Sequence, residues 1–277
     1  MGFSVRTTVD PIKAGLISSE IVMMYRATFL MSALLLAMPL RSAELFYMDH
    51  DLITGKYAGP VGPLVISGDI EPGDYERVLA KIRGDSNRFF SQNKVIVASN
   101  GGDVREAIKI GLLLQSLYAE VTVEPQTGRC IGACFLIYAA ADQRASEGEH
   151  LVGLHRPTLV DRLSTSLSPA DAAAVEERAL SEVRAFLVAN EVPPNLQTEM
   201  FRHSADEVYW LSQSDEKQLG FRSPSFVRYL KANCGWDEAI EHEVLSGRRP
   251  FADLSPLLAC RTRVTQADAR KALASLK

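Results

Sequence analysis

Apolar residues fall into short blocks separated by glycine-rich or polar turns, and the blocks alternate between strand and helix periods. Residues 61–70 read as a strand that turns at Gly68-Asp69, after which Tyr75, Val78, Leu79 and Ile82 recur at helical spacing. A second β-branched run, 94–98, enters the turn Ser99-Asn100-Gly101-Gly102 and is followed by an apolar helix over 104–118. Residues 120–124 repeat the strand, and small residues then open a stretch over 130–141 that is apolar enough for a buried helix. A further strand over 151–154 delivers His155-Arg156-Pro157 at its end.

Beyond that point Ser168-Pro169 starts a long polar-faced helix running to about 190, because serine caps and proline suits the first turn. A helix over 196–201, a strand over 208–211 and a short helix closed by Gly220 follow. Residues 222–277 form a charged helical tail with weak periodicity over 236–245 and 266–276, and residues 44–60 read as an irregular lead-in. Strand, glycine turn, helix, repeated, is the rhythm of an α/β fold. One domain over 61–221 with a helical extension accounts for the pattern.

The first forty-three residues read as an address rather than a fold. Met24-Tyr25-Arg26 precedes a short apolar run over 27–40, and Pro39 and Arg41-Ser42-Ala43 end it, the parts of a secretory signal. Met23 or Met24 is then the expected translation start. The expected location is export, into a bacterial periplasm. Arg41 fits poorly before a cut after Ala43, so an uncleaved inner-membrane anchor is the alternative, and the only membrane contact expected.

The net charge of −4 and the lack of a basic run argue against a nucleic-acid surface. All four cysteines, Cys130, Cys134, Cys234 and Cys260, lie beyond the signal, and an exported chain permits disulfides among them in any of three pairings. No Cys-x-x-Cys and no histidine at zinc spacing accompanies them, so neither a metal nor a cofactor is expected. Asp49-His50-Asp51 reads as a solvated turn.

A sharp strand-to-helix turn of small residues is where many hydrolases display a nucleophile, because free amides at the helix start stabilise negative charge. With that turn at 130–134, the chain resembles the Clp protease proteolytic subunit and, more closely, exported ClpP-like proteins of the ClpP/crotonase superfamily. Ser99-Asn100-Gly101-Gly102 is similar to the family's Ser-Pro-Gly-Gly turn, and 130–141 to its nucleophile turn and helix. Arg144 with His155-Arg156-Pro157 resembles the family's Arg…His-Gln-Pro, and Leu211-Ser212 with Gly220 its closing signature. The resemblance implies a fold of repeated ββα units and a serine-peptidase site. In that site the amides of the Gly101-Gly102 turn and of Ala133 form an oxyanion hole, with His155 as base.

Two positions depart from the family. Gly132 stands where the resemblance puts the serine, and Val208 where it puts the aspartate. Cys134 is the candidate substitute nucleophile, although two residues along a helix is a rotation of about 200°, which turns its sulfur away. Asp206 and Glu207 reach His155 only if the register slips, and Ser99 reads as a hydroxyl capping its own turn.

The reading that follows is a non-hydrolytic pseudo-peptidase that binds a peptide or an acyl group. The alternatives are a working hydrolase using His155 and a displaced nucleophile, and crotonase-like acyl-CoA chemistry. The family associates through the helical segment after the histidine strand, so a homo-oligomer is also expected.

Overall fold

The computed structural model describes residues 42–49, 62–157, 168–204 and 206–276. The expected signal segment, except Ser42 and Ala43, and most of Asp49-His50-Asp51 lie outside them.

Strands β1 (Glu44–Tyr47), β2 (Leu64–Ser67), β3 (Lys94–Ala98), β4 (Glu120–Val123) and β6 (Gln143–Ser146) form a five-stranded sheet in that order. β2, β3, β4 and β6 run parallel, and β1 lies antiparallel on the edge. The β-branched and apolar side chains of β2, β3 and β4 are buried, as a sheet covered by helices requires. The lead-in expected to be irregular therefore carries a strand. Its Glu-Leu-Phe-Tyr alternation is half exposed, and pairing with β2 together with packing of Leu45 and Tyr47 on the core orders it. β5 (Cys130–Ile131), β7 (Val152–Leu154) and β8 (Tyr209–Trp210) make a second, three-stranded sheet. The sequence pattern missed β5 and β6, whose residues do not alternate.

Helices α1 (Asp74–Gly84), α2 (Ser86–Gln92) and α3 (Val104–Ser116) connect the parallel strands, and α4 (Ala133–Ala140) follows β5. Every residue of α4 is buried, so it can only sit inside the domain. It packs against α3 at Gly111, where an added Cβ would lie 3.0 Å from that of Ala140 and 3.2 Å from the Leu136 carbonyl oxygen. α5 (Pro169–Ala189) starts at Ser168, whose hydroxyl accepts from the Asp171 amide at 3.2 Å. α6 (Pro194–Arg202) leads toward β8, and α7 (Gln213–Leu219) opens on a Ser212–Asp215 capping box.

The tail holds three helices rather than two: α8 (Pro224–Cys234), α9 (Glu238–Leu245) and α10 (Phe251–Ser275). It is no separate module. Ala269 and Leu273 join the main apolar core, and Gln266 donates to the Phe90 carbonyl at 3.1 Å. A disulfide joins Cys234 of α8 to Cys260 of α10.

Asp142 lies at the seam between domain and tail. Its carboxylate accepts from the Ser223 hydroxyl at 2.9 Å, and its carbonyl accepts from the Ser223 amide at 3.0 Å. Burial pushes this carboxyl up from 3.8 to about 6, against the opposing pull of Ser223 and Arg144. A carboxyl that holds its proton more tightly folded than unfolded adds stability at low pH. That gain is full below about pH 4 and is lost as pH rises toward about 6. A displacement of this size is worth about 2–3 kcal/mol. Asp142→Asn keeps the acceptor for Ser223 and removes the charge, so it is expected to gain about 1–2 kcal/mol at pH 8 and nothing at pH 4. Urea unfolding of both proteins at the two pH values checks this, and equal differences at both would count against it.

Candidate functional site

Past its last paired residue, the chain of β3 reaches the small sheet at β5, while that of β2 runs beside the Gly101-Gly102 turn. Ile70 bridges Gly102, and Ser99 bridges Cys130. Two chain reversals thereby meet at the carboxyl ends of the parallel strands, where open α/β sheets place ligands.

The first reversal is Ser99-Asn100-Gly101-Gly102. The Ser99 hydroxyl accepts from the Gly101 amide at 3.1 Å, and the Gly101 carbonyl accepts from Ile70 at 2.8 Å. The peptide joining Gly101 to Gly102 is trans, so its N–H points opposite to that carbonyl, away from Ile70. Gly102 has φ +129°, and a Cβ there would sit 2.1 Å from the Ile70 carbonyl oxygen. Only glycine fits.

The second reversal is Cys130 to Cys134. The Ile131 amide donates to the Ser99 carbonyl at 2.9 Å, and the Gly132 amide to Gly153 at 3.1 Å. Gly132 adopts φ +60°, ψ −118°, and α4 begins at the next residue. A Cβ on Gly101 would lie 3.2 Å from the Ala133 nitrogen, so bare Gly101 leaves the Ala133 amide uncovered. Among the described residues, neither the Gly102 nor the Ala133 amide has an acceptor.

His155 follows β7 and reaches over the second reversal. A Cβ built on Gly132 would lie 2.3 Å from His155 Nε2, so the imidazole occupies the space a side chain at 132 would need. Its Nδ1 lies 3.0 Å from the Arg156 carbonyl oxygen. A carbonyl only accepts, so Nδ1 carries the proton and Nε2 is the free face. The β7–β8 pairing sets Gly153 against Trp210 and Leu154 against Tyr209. One residue further, that register puts Val208 opposite His155. Val208 and His155 share a sheet face, since a Cβ on Gly153 would meet Val208 Cγ1 at 2.5 Å. The side chain at this position is a valine, which offers the imidazole no hydrogen-bond acceptor.

The other candidates fall outside this cluster. Cys134 is bonded to Cys130, and both are fully buried. As a disulfide it has no thiolate to attack with. Iodoacetamide is accordingly expected to modify none of the four cysteines in the unreduced native chain. Stoichiometric modification of Cys134 would restore it as a nucleophile. His203 Nε2 faces Glu199 at 3.0 Å while its ring stacks on Tyr209 at 5.6 Å, a pairing internal to α6 and β8. Sequence reasoning overlooked Gly153. An isolated glycine in a strand marks a close approach, and here it admits Val208 and the Trp210 ring, at 2.5 and 3.2 Å from an added Cβ. Among the described residues no group of three metal-ligating side chains converges, and no helix is long and apolar enough to cross a membrane.

The chain is thus a mixed α/β protein with an imidazole beside a glycine turn and, among the described residues, two amides without an acceptor. Among solved structures it is similar to a mutant of a membrane-bound stomatin-specific protease, at 16% identity and a TM-score of 0.39, over 62% of this chain and 83% of that one. No family profile matches the sequence, and no curated protein matches it.

Proposed function

We propose that this chain carries a ClpP/crotonase-like domain of the exported ClpP-like kind and binds a peptide or acyl group without hydrolysing it. The observation that carries the reading is the Gly132–His155 contact, with the ring where a nucleophile's Cβ would stand, 2.3 Å from its Nε2. Triad catalysis needs an attacking atom and an oriented base. Here the first position has no side chain and the second has Val208 for an orienter. What remains is the part that recognises a carbonyl: two donor amides at a glycine turn.

Two disulfides, Cys130–Cys134 and Cys234–Cys260, support an oxidising compartment and hence export. The apolar run of the expected signal, 27–40, lies outside the described residues.

Incubation of the full chain with a fluorophosphonate probe and with fluorogenic peptide amides and esters tests the reading. No labelling and no turnover are expected. Turnover that disappears in His155→Ala would overturn it.

A further inference from the structure

A cavity between α3 and α8 shares no lining residue with the cleft around Gly132 and His155. We propose that this cavity binds a primary organic ammonium, an amine whose cationic head meets the Asp142 carboxylate and whose apolar body lies against an aromatic wall.

The cavity holds about 320 Å³ and is walled in part by Leu112 and Gln115 of α3, Tyr118 beyond its end, Asp142 ahead of β6, and Phe226 and Tyr229 of α8. Small-ligand sites run from about 300 to 1,000 Å³, so the body that fits is one ring or a short chain. Leu112 is 46% exposed, which leaves an apolar side chain where the cavity meets solvent.

Among the described residues no lysine or arginine lines the cavity, whereas Asp142 is 6% exposed and only partly satisfied. Its Oδ1 accepts from the Ser223 hydroxyl at 2.9 Å. Gln115 stands beside the carboxylate, but its amide nitrogen donates to Asn190 Oδ1 at 3.1 Å. Arg144 attracts the carboxylate without pairing with it, because its N–H groups go to the carbonyls that end α4 and α7. Glu191, the other acid acting on Asp142, is matched by Arg228 at 2.7 Å. Burial pushes the Asp142 carboxyl up to about 6, so at neutral pH it is a buried anion short of positive charge. An ammonium supplies that charge together with N–H donors.

Tyr118 sits at φ +52°, a left-handed conformation that a bulky side chain enters only under strain. There its ring centroid lies 5.3 Å from that of Tyr229 and 5.8 Å from that of Phe226, while Phe226 and Tyr229 stack at 6.2 Å. The faces of such rings are electronegative and attract a cation. The Tyr229 hydroxyl donates to Asp268 at 2.7 Å, so a further carboxylate backs the wall. A neutral apolar ligand uses the rings alone, and an anion meets Asp142 with no base to offset it. An ammonium uses both.

The test titrates the full, disulfide-intact chain at pH 8 by calorimetry with three probes of similar shape: 2-phenylethylamine, 2-phenylethanol and 3-phenylpropanoate. The amine is expected to bind tenfold or more tighter than the alcohol, and the propanoate more weakly than the alcohol. Asp142→Asn keeps an acceptor for Ser223 and removes only the charge. It is expected to bring the amine within threefold of the alcohol while the alcohol's affinity stays the same.

Amine and alcohol bound within twofold of each other by the unaltered chain would overturn the inference, and so would failure of all three probes to bind at millimolar concentration. An unchanged preference for the amine in folded Asp142→Asn would overturn it too, because the cation would then be held elsewhere. The three-probe comparison on the unaltered chain decides the matter even if the variant does not fold. None of these outcomes touches the reading of the His155 cleft.

Discussion

Gly132→Ser is expected to lower stability by about 1–3 kcal/mol and to yield no measurable turnover, whereas Gly132→Ser combined with Val208→Asp is expected to react with a fluorophosphonate. The stability cost has two sources. Residue 132 has φ +60° and ψ −118°, a region that residues with a Cβ enter only under strain. The new Cβ also starts 2.3 Å from His155 Nε2, so the ring must swing aside. That movement is tolerable, because the ring's partner in the described structure is the neighbouring Arg156 carbonyl.

Displacing the imidazole leaves it without a fixed tautomer, and loss of the orienting carboxylate costs a triad about four orders of magnitude. An aspartate at 208 would face His155 across the β7–β8 pair, in the register set by Gly153–Trp210 and Leu154–Tyr209. The Gly102 and Ala133 amides, without acceptors among the described residues, are the donors proposed for the resulting oxyanion. Probe labelling followed by mass spectrometry reads the outcome. Labelling of the serine in the single variant at the rate of the double would show that Val208 is not the missing orienter. Absence of labelling in a folded double variant would break the proposed correspondence of the site with a triad.

Arg144→Met is expected to cost about 3–5 kcal/mol, the largest loss from any single replacement outside the cleft. The guanidinium is 2% exposed and serves as a common cap for two helices. Nη1 donates to the carbonyls of Ala139 at 2.5 Å and Ala141 at 3.4 Å, at the end of α4. Nη2 donates to Leu219 at 2.8 Å and Nε to Gly220 at 3.0 Å, at the end of α7. Helix ends leave carbonyls without partners, and methionine would strand these in a dry interior.

Burial lowers the guanidinium pKa to about 10, with Tyr138 and Asp142 opposing, so it stays charged at neutral pH. Arg144→Lys retains charge but not the planar fork that reaches both helix ends, so an intermediate loss is expected. Urea unfolding followed by circular dichroism measures both variants. A loss under 1 kcal/mol for the methionine variant would mean that water or a shifted backbone satisfies those carbonyls. Since α4 carries the Ala133 amide at its other end, this arginine also anchors the floor of the cleft.

Much of this arrangement was legible in the sequence, where local rules apply. β3 runs over Lys94–Ala98 as its β-branched composition requires, and α5 begins after Ser168 with Pro169 at its first position. The glycines at 101, 102 and 132 declared sharp turns on their own, because positive φ is cheap only without a Cβ. The lack of a side chain at 132 is likewise a plain fact of the chain. β1 and the tail were less legible. Glu44–Tyr47 has no strong strand pattern of its own, and α8, α9 and α10 show an apolar stripe too weak to delimit them.

Sequence by itself determined strands β2, β3, β4 and β7, helices α1, α3 and α5, the glycine turns and the absence of a side chain at 132, since each depends on neighbours a few residues away. Only the tertiary structure decided which of three cysteine pairings forms, that Arg144 caps both the end of α4 and the end of α7, with Leu219 75 residues along the chain from it, and that the β7–β8 register sets Val208 across from His155. These are contacts between distant segments, set by how the two sheets meet and by what their buried polar groups require. No periodicity along the chain encodes that meeting.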